Sequence, residues 1–333
     1  MRKGKVTQAV LSRSVLRVLK EKKEGVLRYP EYGCGYGAFR AQESEGKVTV
    51  TACGSTAGLP QEASAYAVAE AMNHLLTAGA RPFGMTVQML LPETYEEAKL
   101  KEQVRALEKA AAAYGAVILG GHTEVLPGLS RPEVFLTAIG HGDALVPEAQ
   151  PEMDLAAVGT IASSAAAWMA ENRKEELSDC FSEGFLKDTA RIGEERFLPA
   201  AVQTVLEAGG GAMKAPVRGG IFAGLWEMAE HAGIGLDIDL RKIPVRQETI
   251  EICEFFSLNP YQLFGTDLLL AAVPDGTALV RTLEQKGIPA AVIGRTTDGP
   301  ERILRNGEEI RYLDKPQTDE WYHMEEREQK CRN

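Results

Sequence analysis

The sequence predicts a two-domain α+β protein, on three observations. Apolar residues alternate between strand-like and helix-like spacing without a sustained βαβ repeat, so strands and helices should form separate layers rather than a doubly wound sheet. The 333 residues are 44% hydrophobic, enough for more than one core, and Pro147 and Pro151 bracket the point where the pattern restarts. No GxGxxG follows a strand and no GxxxxGK[ST] occurs, which leaves classical dinucleotide and P-loop sites unsupported. The expected divisions are 1–40, an N-terminal helix and glycine-rich loop; 41–147 and 148–314, the two domains; and 315–333, a polar tail.

Leucine and valine at helical spacing predict a helix over 7–22, followed by the glycine-rich loop at 32–40. Alternating valine and threonine make 47–53 a strand. The alanine-rich 61–78 reads as a helix stopped by Gly79. A strand at 83–91 closes at Pro92, and 95–114, rich in Glu, Lys and Ala, is helical. A short strand at 116–119 runs into the loop GGHTEVLPG, and 133–140 gives another strand. In the second half, strands are expected at 155–158, 268–273 and 290–293. Helices are expected near 162–175, 184–206, 247–256 and 277–286. From Lys315 the chain lacks apolar periodicity, which predicts a loosely held tail.

Thirty-seven basic against forty-seven acidic residues give a net charge of -10, which argues against nucleic acid or an anionic membrane surface as partner. The longest apolar run, Leu268–Val273, is far too short to cross a bilayer. The basic, amphipathic N-terminus has no apolar core or small-residue cleavage site of a secretory signal. Five cysteines without a CxxC pair fit a reducing compartment, so a cytoplasmic protein is expected.

The most informative stretch is 215–244, APVRGGIFAGLWEMAEHAGIGLDIDLRKIP. Gly219 and Gly220 follow Arg218 and open a helix that ends at Gly233, with a strand expected over 234–240. Backbone N–H groups and a guanidinium at a helix start favour an anion such as phosphate. The bland alternative is a tight helix start. Gly120 and Gly121 likewise suit close approach of a ligand to backbone, or a plain turn.

This stretch resembles the second-domain signature of the AIR synthase-related family in its HypE branch, where it normally reads Asp-Pro-Thr-Arg-Gly-Gly. That family includes aminoimidazole ribonucleotide synthetase, selenophosphate synthetase and thiamine-monophosphate kinase. Four more segments resemble family motifs in order: AMNHLLTAGARP at 71–82, ILGGHTEVLPG at 118–128, 259–273, and VIGRTTDGP at 292–300. The resemblance implies an N-terminal domain that pairs with a second subunit as a dimeric β-barrel, and a C-terminal α+β domain. It also implies ATP in the cleft between the domains, contacted by Asn73, Gly120, Gly121, Thr123, Arg218, Gly219 and Gly220, with magnesium held by aspartates.

Several of those aspartates are replaced. Ala215 and Val217 stand in the signature. Ala52-Cys53 stands for Thr-Asp, Asn73-His74 for Asn-Asp, and Gly121-His122-Thr123 for Gly-Asp-Thr. Gly35-Tyr36-Gly37-Ala38, beside Cys34, replaces Asp-Asp-Ala-Ala, and Gly265-Thr266-Asp267 replaces Ser-Glu-Gly. Magnesium needs hard oxygen ligands. Cys53, His74 and His122 would instead suit zinc or ferrous iron, with loss of the magnesium site as the bland account. Cys331, third from the end, is the candidate nucleophile, because HypE proteins end in a reactive cysteine; an incidental surface thiol is the alternative.

Three functional expectations follow. The first is an ATP-handling maturation or ligase-type enzyme with a degenerate magnesium site. The second is a non-catalytic paralogue binding a nucleotide or a maturation partner protein. The third is a transition-metal protein built on Cys53, His74 and His122. All three include a homodimer.

Overall fold

The computed structural model describes residues 7–19, 23–40, 47–60, 63–193 and 198–324. They divide into two compact units, one spanning 14–146 and the other 147–333 together with 1–13. The chain opens with α1 (Gln8–Leu11), which continues as a π-helical turn, Ser12–Leu16. This is much shorter than the helix expected over 7–22. Neither piece buries a side chain, and a helix without a packed face is marginal in water. Gln8 Nε2 donates to Glu230 Oε1 at 2.5 Å, which ties α1 to the second unit.

The first unit contains β1 (Val26–Arg28), β2 (Tyr36–Phe39), β3 (Val48–Ser55), α2 (Ser64–Thr77), β4 (Arg81–Leu91), α3 (Glu97–Ala112), β5 (Val117–Val125) and β6 (Glu133–Gly142). They form a six-stranded sheet in the order β1-β2-β3-β6-β4-β5, antiparallel except for the β4–β5 pair. Two segments expected as loops are strands here. Part of the glycine-rich 32–40 is β2, because Ala38 is a buried core residue opposite Val50. The GGHTEV segment is the second half of β5. Gly121 permits this, since a Cβ there would lie 1.9 Å from the Val87 carbonyl oxygen of β4.

One face of this sheet is packed and the other is open. Val48, Val50, Ala52, Met85, Val87, Leu136 and Ala138 point towards α2 and α3 and join Ala67, Ala71, Met72, Leu75 and Leu107 in one core. A Cβ on Gly54 would fall 2.1 Å from the Ala67 carbonyl oxygen, so helix and sheet touch through backbone. Residues of the alternate set, including Phe39, Cys53, Phe83 and Phe135, face away from this core and are exposed.

The second unit contains β7 (Asp154–Gly159), α4 (Ser163–Asn172), α5 (Lys174–Leu177), α6 (Glu183–Ile192), α7 (Leu198–Glu207), β8 (Ala212–Lys214), α8 (Gly220–Ala232), β9 (Gly235–Asp239), α9 (Gln247–Phe256), β10 (Leu268–Val273), α10 (Gly276–Gln285), β11 (Ala290–Thr297), β12 (Arg302–Asn306) and β13 (Glu309–Tyr312). Its seven-stranded sheet runs β13-β12-β9-β11-β7-β10-β8, with only β9 and β12 parallel. The apolar run of β10 is buried throughout because it pairs with β7 on one side and β8 on the other. The short edge strands β8 and β13, and β12 between β13 and β9, carry too few apolar residues to stand out in the sequence. On β12, Arg305 makes a two-pronged ion pair with Asp237 of β9, at 2.7 and 2.8 Å.

The expectation of a loose tail is overturned for 319–324. Trp321 is buried, edge-on to Trp168 at 5.0 Å and to Phe264 at 5.6 Å between ring centroids, and Met324 is buried with it. These apolar side chains sit in a charged segment whose average polarity masks them.

The glycine pair in β5 gives a paired test. Gly121→Ala should destabilise the protein by about 1–3 kcal/mol through the Val87 clash. Gly120→Ala, where a Cβ meets nothing within 4 Å, should change stability by less than about 0.5 kcal/mol. Urea unfolding of both variants checks this; equal effects would show that β4 and β5 are not held so closely.

Candidate functional site

The signature segment builds its helix start as expected, and the Gly219 N–H there already has an acceptor within the chain. Gly219 and Gly220 both adopt left-handed backbone, φ 78° and 60°, and Gly219 caps α8. A Cβ on Gly220 would stand 2.5 Å from the Tyr261 carbonyl oxygen, so the second glycine is also fixed by close packing. The Gly219 N–H donates to Asp319 Oδ2 at 2.6 Å. Asp319 Oδ1 accepts from the N–H groups of Trp321 at 2.9 Å and Phe264 at 3.3 Å.

Burial pushes the Asp319 carboxyl up to about 6, while the three backbone N–H groups and the Arg218 charge pull the other way. The sequence reading missed this residue. Its only signal was an acidic side chain two positions before a tryptophan in an otherwise polar tail.

A second buried polar cluster lies at the start of α4. Ser164 Oγ donates to Asp267 Oδ2 at 2.5 Å and lies 2.8 Å from Thr266 Oγ1, while the Thr266 N–H donates to Ser164 Oγ at 2.9 Å. Asp267 therefore keeps a carboxylate in the segment where the sequence showed a departure from the family pattern. Cys253 on α9 is buried, and burial pushes its thiol up to about 12, which makes it inert at neutral pH.

The proposed metal trio does not assemble. Cys53 lies on the open face of the first sheet, its Sγ 3.8 Å from Thr137 Oγ1. His122 shares that face on β5, exposed and 3.3 Å from Glu124 Oε2. Register places Cys53 opposite Thr137, Thr137 opposite Thr86, and Thr86 opposite Gly120. Three inter-strand spacings, about 14 Å, thus separate Cys53 from the strand that carries His122.

His74 is on the other side, on α2, where its Cε1 would lie 2.4 Å from a Cβ on Gly35. Strand alternation and the intervening sheet keep the three apart, and the described residues hold no group of three or more His, Cys, Asp or Glu that could bind a metal. The zinc or iron reading is corrected accordingly. A thiol and two imidazoles also do not fit magnesium, which prefers oxygen.

Of the remaining candidates, Asn73 is fully buried on α2 and accepts from Tyr114 Oη at 3.1 Å through Oδ1, a core role within its own unit. Gly120, Gly121 and Thr123 lie in β5 rather than in a loop, and Thr123 is exposed. Cys331 falls outside the described residues.

A helix-backed sheet with one open face, followed by a second unit whose Gly-Gly helix start packs on a mixed sheet, defines the class: a two-domain α+β scaffold of the AIR synthase type. The family descriptions "AIR synthase related protein, N-terminal domain" and "AIR synthase related protein, C-terminal domain" match residues 43–141 and 151–305, and the chain belongs to this AIR synthase-related family.

Among relatives, it is 27% identical over 241 residues to "Carbamoyl dehydratase HypE" of Rhizobium leguminosarum bv. viciae, a match covering 68% of this chain and 66% of that protein. The chain thus spans about two thirds of the length of that relative. The structure of "Hydrogenase Maturation Protein HypE in complex with ATP" superposes with a TM-score of 0.67 at 18% identity, covering 96% of this chain and 97% of the other. A chain of the "HypE-HypF complex" gives 0.66 at 20% identity, covering 84% and 93%.

Asp319→Ala would leave the N–H groups of Gly219, Phe264 and Trp321 without their acceptor, at a cost of about 1–3 kcal/mol for a buried group left unpaired. The midpoint of denaturant unfolding should fall accordingly. Because the folded pKa lies above the ordinary 3.8, the proton on Asp319 contributes stability fully present below 3.8 and lost as pH rises through about 6. Amide exchange at Gly219 and Trp321, corrected for intrinsic rates, should therefore show stronger protection at pH 5 than at pH 7.5, and Asp319→Asn should flatten that difference.

Proposed function

We propose that this chain is a nucleotide-handling protein of the hydrogenase-maturation type in which magnesium-supported chemistry is weakened or lost. The observation that carries the reading is the contrast within one scaffold. The fold and the Arg218-Gly219-Gly220 helix start are those of the family. The positions that the resemblance assigns to metal-binding carboxylates hold Cys53, His74 and His122 instead. Nucleotide handling is supported by the HypE complex with ATP, which shares the fold. Phosphoryl transfer relies on metal to neutralise charge on the transferring group, so loss of hard oxygen ligands should depress turnover rather than abolish binding.

Calorimetry with ATP should detect binding, while magnesium-dependent hydrolysis should stay below about 1 per second. Faster turnover would overturn the degenerate-site reading, and absence of any nucleotide affinity would favour a partner-binding paralogue. That second reading draws on the likeness to a chain of the "HypE-HypF complex".

The open sheet face supports a homodimer. Phe83 is 56% exposed, Leu119 48% and Phe135 39%, and the opposite sides of β4 and β6 are packed. A second copy laid across this face would bury these rings and cover the β5 edge. Stable interfaces bury upwards of about 1,200 Å² in total. Light scattering should report a dimer at micromolar concentration, and Phe135→Glu should shift it towards monomer without changing the helix content.

A further inference from the structure

The anion position at the start of α8 is filled by the protein's own tail. Asp319 lies 100 residues beyond Gly219 in sequence, yet its carboxylate makes the contact that a ligand phosphate oxygen would make. The carboxylate is held from both sides: by the N–H of Gly219 on one oxygen, and by those of Phe264 and Trp321 on the other. Neighbouring tail contacts fasten the same segment. The Glu320 N–H donates to the Gln262 carbonyl oxygen at 3.2 Å, and the Asn259 N–H donates to Glu320 Oε2 at 3.3 Å. Trp321 wedges between Trp168 and Phe264.

Two features oppose this docking. A carboxylate is desolvated, and the Trp321 indole N–H is buried without a hydrogen-bond partner among the described residues. Both costs are recovered when the segment lifts into water. The contact is thus well formed but carries internal penalties that a competing ligand could exploit.

We propose that residues 319–324 form an autoinhibitory latch, in which Asp319 occupies the Arg218-Gly219-Gly220 anion position and must leave before a phosphate-bearing ligand can use it. This rests on the reading of that helix start as an anion site. A doubly charged phosphate group competes with a single carboxylate for one N–H and the Arg218 charge, and it carries more acceptor oxygens than the carboxylate does. Tail docking and ligand binding are then linked, each weakening the other by the same factor.

Two variants and one readout separate the outcomes. Asp319→Asn removes the charge and turns an N–H donor towards one of the three backbone donors. Trp321→Ala loosens the wedge and leaves the carboxylate and the helix start intact. Calorimetry with ATP and, separately, inorganic pyrophosphate gives affinity, and hydrogen exchange of the 315–324 peptide in the full chain reports docking. The expected result is about tenfold or tighter binding by both variants, with the 315–324 peptide losing protection when ligand saturates the unmodified protein.

Ligand binding that leaves the peptide protected, with both variants at unchanged affinity, would overturn the latch while the anion site stands, provided Arg218→Ala weakens the same binding. Binding that Arg218→Ala leaves unchanged, or no binding by any of the proteins, would remove the anion site and the latch with it. Binding seen only in the two variants would confirm the latch.

Discussion

The organising contact of the second unit is a single carboxylate held by backbone. Asp319 joins three stretches that are remote in sequence: the start of α8, the turn before β10 at Phe264, and the tail at Trp321. Helix α8 needs left-handed glycines to begin, and glycines leave a bare helix N-terminus that has to be satisfied by something. Here the chain supplies its own acceptor. The aromatic cluster of Trp168, Phe264 and Trp321 then packs around a segment that would otherwise stay in solvent.

The first unit depends on a different constraint, which is backbone contact through glycine. Gly54 lets α2 lie directly on β3, and Gly121 lets β5 run beside β4. Each close approach spends a side chain to gain a tighter layer. The outcome is a sheet whose one face is covered by α2 and α3 while the other leaves Phe83, Leu119 and Phe135 exposed. The same geometry keeps Cys53, His74 and His122 apart. Alternation along β3 sends Cys53 outwards because Gly54 faces α2, whereas His74 belongs to α2 itself.

These two units bear differently on function. The family scaffold is intact, since its two domain descriptions match residues 43–141 and 151–305. The first unit carries Cys53, His74 and His122 on separate elements, while the second holds Asp267 in a buried cluster with Ser164 and Thr266. Binding can survive a change that depresses turnover, because recognition of phosphate by N–H groups and a guanidinium needs no metal, whereas cleavage of a phosphoanhydride does.

Much of the fold was legible in sequence, and the reason is that the signals are local. Alternating Val and Thr in β3, the six-residue apolar run of β10 and the glycine stop after α8 each follow from the conformational preferences of neighbouring residues. The helix start at Arg218-Gly219-Gly220 could be read in the same way. The strand character of 120–125 could not be read, since Gly121 is acceptable in a strand only because Val87 lies where a Cβ would be. Whether Cys53, His74 and His122 meet was equally hidden, since that depends on strand order and on which face each side chain takes. The occupant of the helix start was decided by tertiary structure alone. Asp319 finds Gly219 across 100 residues of chain, and no local preference encodes a pairing whose free energy comes from burying Trp321 and satisfying three backbone donors at once.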